Sequence, residues 1–204
     1  MDSNGVLFAE GKAAGPQIEF VDLGLSVKWG NALIGATNGD TAESWYGNHY
    51  AWGEIETKND YSLSTYKYAN GAVDKLTKYC NNSQFGNNGY TDELTQLLPE
   101  DDVATVTNPA WRMPTKAELD ELIALPNKWI TNYNGISGLN GRVFTGKNGN
   151  TLFIPAAGSG CNLWSSNFFP PMPFGAYRLL FDSESINTFN FIERFFGFSV
   201  CPVC

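Results

Sequence analysis

Arg142-Val143-Phe144-Thr145-Gly146-Lys147-Asn148-Gly149-Asn150-Thr151-Leu152-Phe153-Ile154 holds two runs rich in β-branched and aromatic residues, joined through Asn148-Gly149. Asn-Gly between such runs is the strongest short-range hairpin signal, because both residues tolerate the positive φ of a tight turn. The stretch therefore predicts an antiparallel pair, which Pro155-Ala156-Ala157-Gly158 closes. Upstream the period changes. Thr115-Lys116-Ala117-Glu118 is a capping box, Leu119, Leu122 and Ile123 then fall on one helical face, and Pro126 stops the helix. A shorter helix is expected from Pro99 to about Val106, where Glu100, Asp101 and Asp102 complement the dipole of the first turn.

Further towards the N-terminus, Ile18 to Trp29 reads as a strand, a glycine turn and a second strand with Leu25, Val27 and Trp29 on one face. Trp45, Tyr46, Tyr50 and Trp52 are expected to anchor long loops from beneath. Tyr61 to Tyr90 has no steady period and reads as an extended surface loop with at most one short strand. Residues 1–17 lack periodicity and are expected to be a mobile lead-in or a late-docking strand, leaving 18–204 as one domain.

Downstream of the hairpin lies the least ordinary composition. Trp164 to Cys204 holds nine of the fourteen phenylalanines: Phe168, Phe169, Phe174, Phe181, Phe189, Phe191, Phe195, Phe196 and Phe198. Ala176 to Asp182 reads as a strand with Tyr177, Leu179 and Phe181 inward and Arg178, Leu180 and Asp182 outward. Gly197 to Val203 reads as a final strand with Phe198 and Val200 inward. The other rings stand in adjacent pairs among prolines, asparagines and charges, so some must face water. Exposed aromatics on a loop-rich segment suit a recognition surface, the plainer alternative being the last hairpin of a core.

Bulk properties narrow the function. A net charge of −8 and a pI near 4.6 argue against a nucleic-acid or anionic-membrane partner. No apolar run approaches the length of a membrane span and no signal peptide is visible, although the domain could belong to a longer secreted or virion protein. Charged residues are 17% of the chain while Gly, Asn, Ser and Thr abound, which suits a loop-rich fold of short strands. Cys80, Cys161, Cys201 and Cys204 allow three complete pairings, and Cys201 and Cys204 form a C-x-x-C without the context of a redox or zinc motif, so free thiols are the favoured reading. His49 is the only histidine, which excludes the common catalytic triad and a histidine-rich metal site. Phosphate and dinucleotide cradles have no motif here. Glu54 with Glu56, or Asp101 with Asp102, read as solvated acids rather than a glycosidase pair, and the acids after Pro99 lack calcium-loop spacing. No catalytic residue, cofactor or metal is expected. A binding module is what remains.

Several landmarks occur in order: Val21-Asp22-Leu23-Gly24-Leu25-Ser26-Val27-Lys28-Trp29, Tyr50-Ala51-Trp52-Gly53-Glu54, Trp111-Arg112-Met113-Pro114-Thr115, Leu152-Phe153-Ile154-Pro155-Ala156-Ala157-Gly158, Trp164-Ser165-Ser166 and Gly197-Phe198-Ser199-Val200. Together they resemble the Fibrobacter major-paralogous-domain family of gut bacteria, from about Val21 onward. That family is similar to the formylglycine-generating-enzyme type of C-type-lectin-like fold, which implies an α+β domain with two short helices and a twisted antiparallel sheet, rich in loops. The same branch includes variable proteins of diversity-generating retroelements, in which a C-terminal stretch is rewritten at template adenines. Asparagine codons changed at both adenines can give phenylalanine, so the resemblance implies a variable region over 164–200. Relatives usually carry Arg where Cys201 stands, which makes the cysteines look like products of variation.

With Tyr177, Leu179, Phe181, Phe198 and Val200 in the core, Phe168, Phe169, Met172, Phe174, Arg178, Leu180, Asp182, Glu184, Phe189, Phe191, Glu193, Phe195 and Phe196 are left as the expected ligand-binding face. The resemblance implies a protein or glycan ligand on a cell surface, bound by a phage receptor-binding tip or a bacterial adhesin. Two alternatives stand beside it: an undiversified structural module of a larger surface protein, and an oxidase related to the formylglycine-generating enzyme. A homo-oligomer that buries the same phenylalanines would mimic a binding site.

Overall fold

The computed structural model describes residues 18–189 and 191–204, so the expectation for residues 1–17 lies outside the described residues. The architecture is mixed α+β, with few short helices and several antiparallel sheets. Strands β1 (Phe20–Val21) and β2 (Trp29–Gly30) pair antiparallel. Helix α1 (Val103–Thr107) and helix α2 (Lys116–Ile123) follow a long irregular stretch of 3-10 turns and isolated bridges. Strands β3 (Asn127–Ile130), β4 (Asn140–Thr145) and β5 (Thr151–Ala156) form a three-stranded meander. In the last sheet β7 (Gly175–Phe181) pairs on one side with β6 (Cys161–Phe168) and on the other with β8 (Ile186–Asn187) and β9 (Phe191–Glu193).

The helix capped by Thr115 forms as expected, whereas the one expected from Pro99 splits into a 3-10 turn at Pro99–Asp101 and an α-helix that begins only at Val103. In α2 the Thr115 hydroxyl accepts from the Glu118 amide and the Glu118 carboxylate accepts from the Thr115 amide, while Leu119 and Leu122 are fully buried. Asp101 and Asp102, expected as solvated acids, are both buried: Asp101 accepts from Tyr68, Lys78 and Tyr79, while Asp102 caps α1 by accepting from Ala104 and Thr105, and its second oxygen accepts from the Met113 amide. The hairpin also forms, from Asn140 opposite Ala156 to Thr145 opposite Thr151, but its loop is longer than a two-residue turn. The loop clasps the N-terminal segment. Asn148 and Asn150 both donate to the Asp22 carbonyl, and a Cβ at Gly146 would lie 2.5 Å from the Leu23 carbonyl oxygen.

Three local expectations are corrected. Leu25 and Val27 are half-buried but lie outside any strand, because β2 begins only at Trp29. Tyr61 to Tyr90 is no surface loop: Tyr66, Tyr68, Leu76, Tyr79 and Cys80 are buried, since the tyrosine hydroxyls find partners inside, at the Trp52 carbonyl and the Asp101 carboxylate. The final strand from Gly197 is a string of single bridges instead: Phe198 to Tyr50, Ser199 parallel to Leu163, and Val203 to both Trp29 and Arg112. These bridges let the tail stitch together segments far apart in sequence, which a continuous two-strand ladder could not do.

One core cluster lies between α2, the meander and the inner face of β6 and β7, with Leu119, Phe144, Ile154, Leu163, Leu179 and Phe181. A second gathers Trp52, Tyr66, Tyr79, Trp164, Phe168 and Val200. The indoles that join loop to sheet keep their polar edge satisfied: Trp52 donates to the Ser165 carbonyl and Trp164 to the Tyr50 carbonyl, both at 2.8 Å. Trp45, Tyr133 and Phe153 form part of a smaller satellite, which agrees with the anchoring role expected for Trp45.

Candidate ligand-binding face

Register decides which tail residues meet. Leu163 stands opposite Leu179 and Cys161 opposite Phe181, all buried in the first core cluster. Directly opposed residues in a sheet share a face, so Asn162 with Leu180, and Trp164 with Arg178, point the other way. β8 adds Asn187 opposite Leu180. Along the edge of β6 away from β7, Ser199 bridges Leu163, which puts Phe198 and Val200 on the Trp164 side. Val200 and Trp164 are covered by loops, whereas Phe198 is half-buried with its ring 4.7 Å from Trp164. Phe196 stacks on Phe198 at 6.3 Å and is 37% exposed, and Phe195 tilts against Phe196 at 4.7 Å. The result is a graded face, dry at Trp164 and open at Phe196, Arg178, Leu180, Asn162 and Asn187.

Arg178 is the electrostatic centre of this face. Its Nη1 donates to the Asn162 Oδ1 at 2.6 Å and its guanidinium carbon lies 5.4 Å from the Phe198 ring centre. Burial lowers its pKa, and the charge of Glu193 opposes that shift. Among the described residues Arg178 has no ion-pair partner, and its Nε is buried without a hydrogen-bond acceptor. The Asn187 Oδ1 is likewise buried with no donor. Beside the face opens a cavity of about 180 Å³ lined by Leu33, Tyr46, His49, Asn162, Phe198 and Ser199 among others. Burial lowers the His49 pKa, so the imidazole on this wall is neutral at pH 7.

The thirteen expected residues fall into groups. Arg178, Leu180, Phe195 and Phe196 belong to the face just described, with Glu193 half-buried near Arg178. Phe169, Phe174 and Phe191 form a second group: Phe169 stacks on Phe191 at 4.5 Å, meets Tyr177 at 5.3 Å, and Phe174 packs on Phe85 at 5.4 Å. They are half-buried against one another, Tyr177 and Phe85. Met172 and Phe189 are exposed, the latter 79%, and Lys116 Nζ sits 5.4 Å from the Phe189 ring centre. Glu184 is exposed in the turn between β7 and β8. Asp182 is taken up by that turn. Its carboxylate accepts from the Ser185 and Glu184 amides, which hold it below the usual carboxylate range.

Phe168 is corrected outright: it is fully buried opposite Ala176, in the cluster with Trp52 and Trp164. At that end of β6 the loops carrying Trp52 and Tyr79 cover the sheet, so a side chain that would be open near Asn162 is core here. Tyr177 and Phe198, both expected inward, are half-buried, the first against Phe169 and the second against Trp164. Asn162, Asn187, Tyr46 and His49 join the site without having been foreseen, because each comes from a different segment and only register brings them together. Arg194 was also missed. It is fully buried between the rings of Trp52 at 4.6 Å and Phe168 at 5.3 Å, and donates to the Lys78 and Tyr79 carbonyls.

All four cysteines are free thiols, with Cys204 exposed and the other three buried. Burial pushes the Cys161 thiol up and Cys201 to about 12, so neither is a thiolate at neutral pH. Cys201 is a core residue rather than a surface one, its Sγ facing the Gly30 carbonyl. Among the described residues no cluster of three His, Cys, Asp or Glu could hold a metal ion, and no helix is long and apolar enough to cross a membrane. Compared with protein-family models, curated proteins and solved structures, the chain matches none of them.

Proposed function

We propose that the chain is a non-enzymatic ligand-binding domain of C-type-lectin-like fold, whose tail over 164–200 is diversified by a retroelement to recognise a protein or glycan on a cell surface. Work at a bacterial surface or on a virion would suit such a domain. The observation that carries this reading is the alternation of the tail between sealed and open positions. Leu179, Phe181, Arg194 and Val200 are buried and hold the sheet, while Arg178, Leu180, Phe189 and Phe196 stand between them at least partly open. A scaffold of that kind tolerates many side chains at the open positions, because substitutions there leave the packed ones untouched. The mechanism is reversible binding on a rigid platform, with aromatic rings supplying area at low entropic cost.

Sequencing the tail-coding segment in sibling isolates, beside any template repeat, tests it. Variation confined to codons for open residues, with Trp164, Phe168 and Phe181 constant, is the expected result. A uniform tail, or changes scattered over the whole domain, would remove the diversification and leave a structural module.

A further inference from the structure

Three features of the open face point to one kind of ligand. The first is a cation without a direct ion pair among the described residues, Glu193 acting on it only through its charge. Arg178 carries a fixed positive charge in a chain of net charge −8, is half-buried against Phe198, and among the described residues forms no ion pair. A guanidinium that loses water without gaining a carboxylate is costly unless a partner arrives, and its planar fork matches a carboxylate in bidentate fashion.

The second is a mismatched pair of orphans. Among the described residues the Arg178 Nε has no acceptor and the Asn187 Oδ1 no donor. They lie on the same face of adjacent strands, since Asn187 opposes Leu180 and Arg178 is two residues from Leu180. Each buried orphan is unfavourable, so a group offering both an anionic oxygen and a hydroxyl would satisfy the two at once. A lone carboxylate would satisfy only the first.

The third is the cavity at the Phe198 end of the face, whose lining includes Asn162, Phe198 and Ser199 but neither Arg178 nor Asn187. At about 180 Å³ it is smaller than the ~300–1,000 Å³ typical of drug-sized ligands, so it admits one small ring rather than an extended peptide. Its wall mixes the Phe198 and Tyr46 rings with Asn162, Ser199 and a neutral His49. Flat apolar faces beside scattered donors and acceptors suit a hydroxylated saturated ring.

We infer that this face takes a carboxylate-bearing sugar, the acidic terminal residue of a glycan, with the carboxylate on Arg178, a ring hydroxyl on Asn187 and the ring against Phe198. The inference rests on the binding role proposed above and names the ligand class for that same face.

Nuclear magnetic resonance titration of the full chain tests it, following the Arg178 Nε–H signal as N-acetylneuraminic acid, glucuronic acid, glucose, acetate and a blocked Asp-Glu dipeptide are added in turn. The expected result is that at least one acidic sugar shifts the signal and binds about tenfold or more tightly than glucose or acetate. Arg178→Gln should bring that sugar to the level of glucose, and Asn187→Leu should weaken the sugar while leaving acetate unchanged. An unchanged melting temperature in both variants separates lost contact from lost fold. Equal binding of glucose, a dipeptide that binds as tightly as the sugar, or no shift with any probe would each overturn the inference, the dipeptide result assigning the face to an acidic protein segment instead. The underlying binding role fails separately: it falls if tail positions are invariant among siblings, whereas a variable tail that ignores acidic sugars removes only the ligand class.

Discussion

Replacing Arg194 by methionine sets opposite effects against each other and lets magnitudes decide. The substitution keeps most of the volume and removes the guanidinium. Because that charge is fully buried, with its pKa lowered chiefly by desolvation, removing it relieves a cost of several kcal/mol. Against this, the Lys78 and Tyr79 carbonyls lose their donor, at about 1–3 kcal/mol for each group left unsatisfied. The stacking of the cation between Trp52 at 4.6 Å and Phe168 at 5.3 Å adds about 2 kcal/mol per desolvated ring. The losses exceed the relief by roughly 3 kcal/mol, which for a chain of this size lowers the melting temperature by about 6–12 °C. Thermal unfolding followed by circular dichroism measures it. Arg194→Lys should do worse than methionine, since it retains the buried charge but reaches at most one carbonyl and offers no flat face. An Arg194→Met protein as stable as the parent, or a lysine variant better than methionine, would refute the assignment of Arg194 as a strut held by geometry.

Phe168→Ala should cost about 3–5 kcal/mol in urea unfolding while Phe189→Ala, at a residue 79% exposed, stays within about 0.5 kcal/mol; similar values for the two would contradict the burial described for Phe168. Asp101 is pushed up by burial but held at about 2 by donors from Lys78, Tyr68 and Tyr79, so its contribution is present above the unfolded pKa near 4 and disappears as pH falls through about 2. The parent should therefore lose about 2 kcal/mol more than Asp101→Asn between pH 5 and pH 2, read as urea midpoints at each pH. Thr115→Ala should destabilise by about 1 kcal/mol through loss of the α2 cap, and a Thr115→Ser variant should restore most of it. At neutral pH a thiol reagent should label Cys204 quickly in the native chain and the three buried cysteines only after denaturation; fast labelling of Cys201 would contradict its burial.

Elements defined by neighbours in sequence were legible in advance. The capped α2 helix needs only Thr115, Glu118 and the spacing of Leu119 and Leu122, and the hairpin needs only Asn148-Gly149 between two apolar runs. Period two likewise put Leu179 and Phe181 inside and Arg178 and Leu180 outside. What escaped depends on partners far along the chain. β6 was invisible because its pattern reads as strand only once Trp164 is seated under Tyr50 and Ser166 beneath Pro114. Tyr68 and Tyr79 looked like loop residues until Asp101 supplied a buried acceptor. Arg194 looked like surface, since nothing local announces that Trp52 and Phe168 will enclose it. Asn162 and Asn187 were absent from the expected face because pairing opposite Leu180 is a matter of register, which two isolated asparagines do not encode.

The stitching of 198–204 onto distant segments bears on how the protein is made. Lys28 and Cys204 exchange backbone hydrogen bonds, Gly30 donates to Pro202, and Val203 pairs with Arg112. These are contacts of very long sequence separation, so they close slowly and only after almost the whole of the described chain has been made. Until then Trp29 lacks the Val203 bridge that completes its enclosure, although α2 and the meander can already pack against it. On the reading proposed above, each rewritten tail is thereby proofread as it is born. A version that cannot close leaves Trp29 without its Val203 partner, and the cell's quality control meets it before any ligand does.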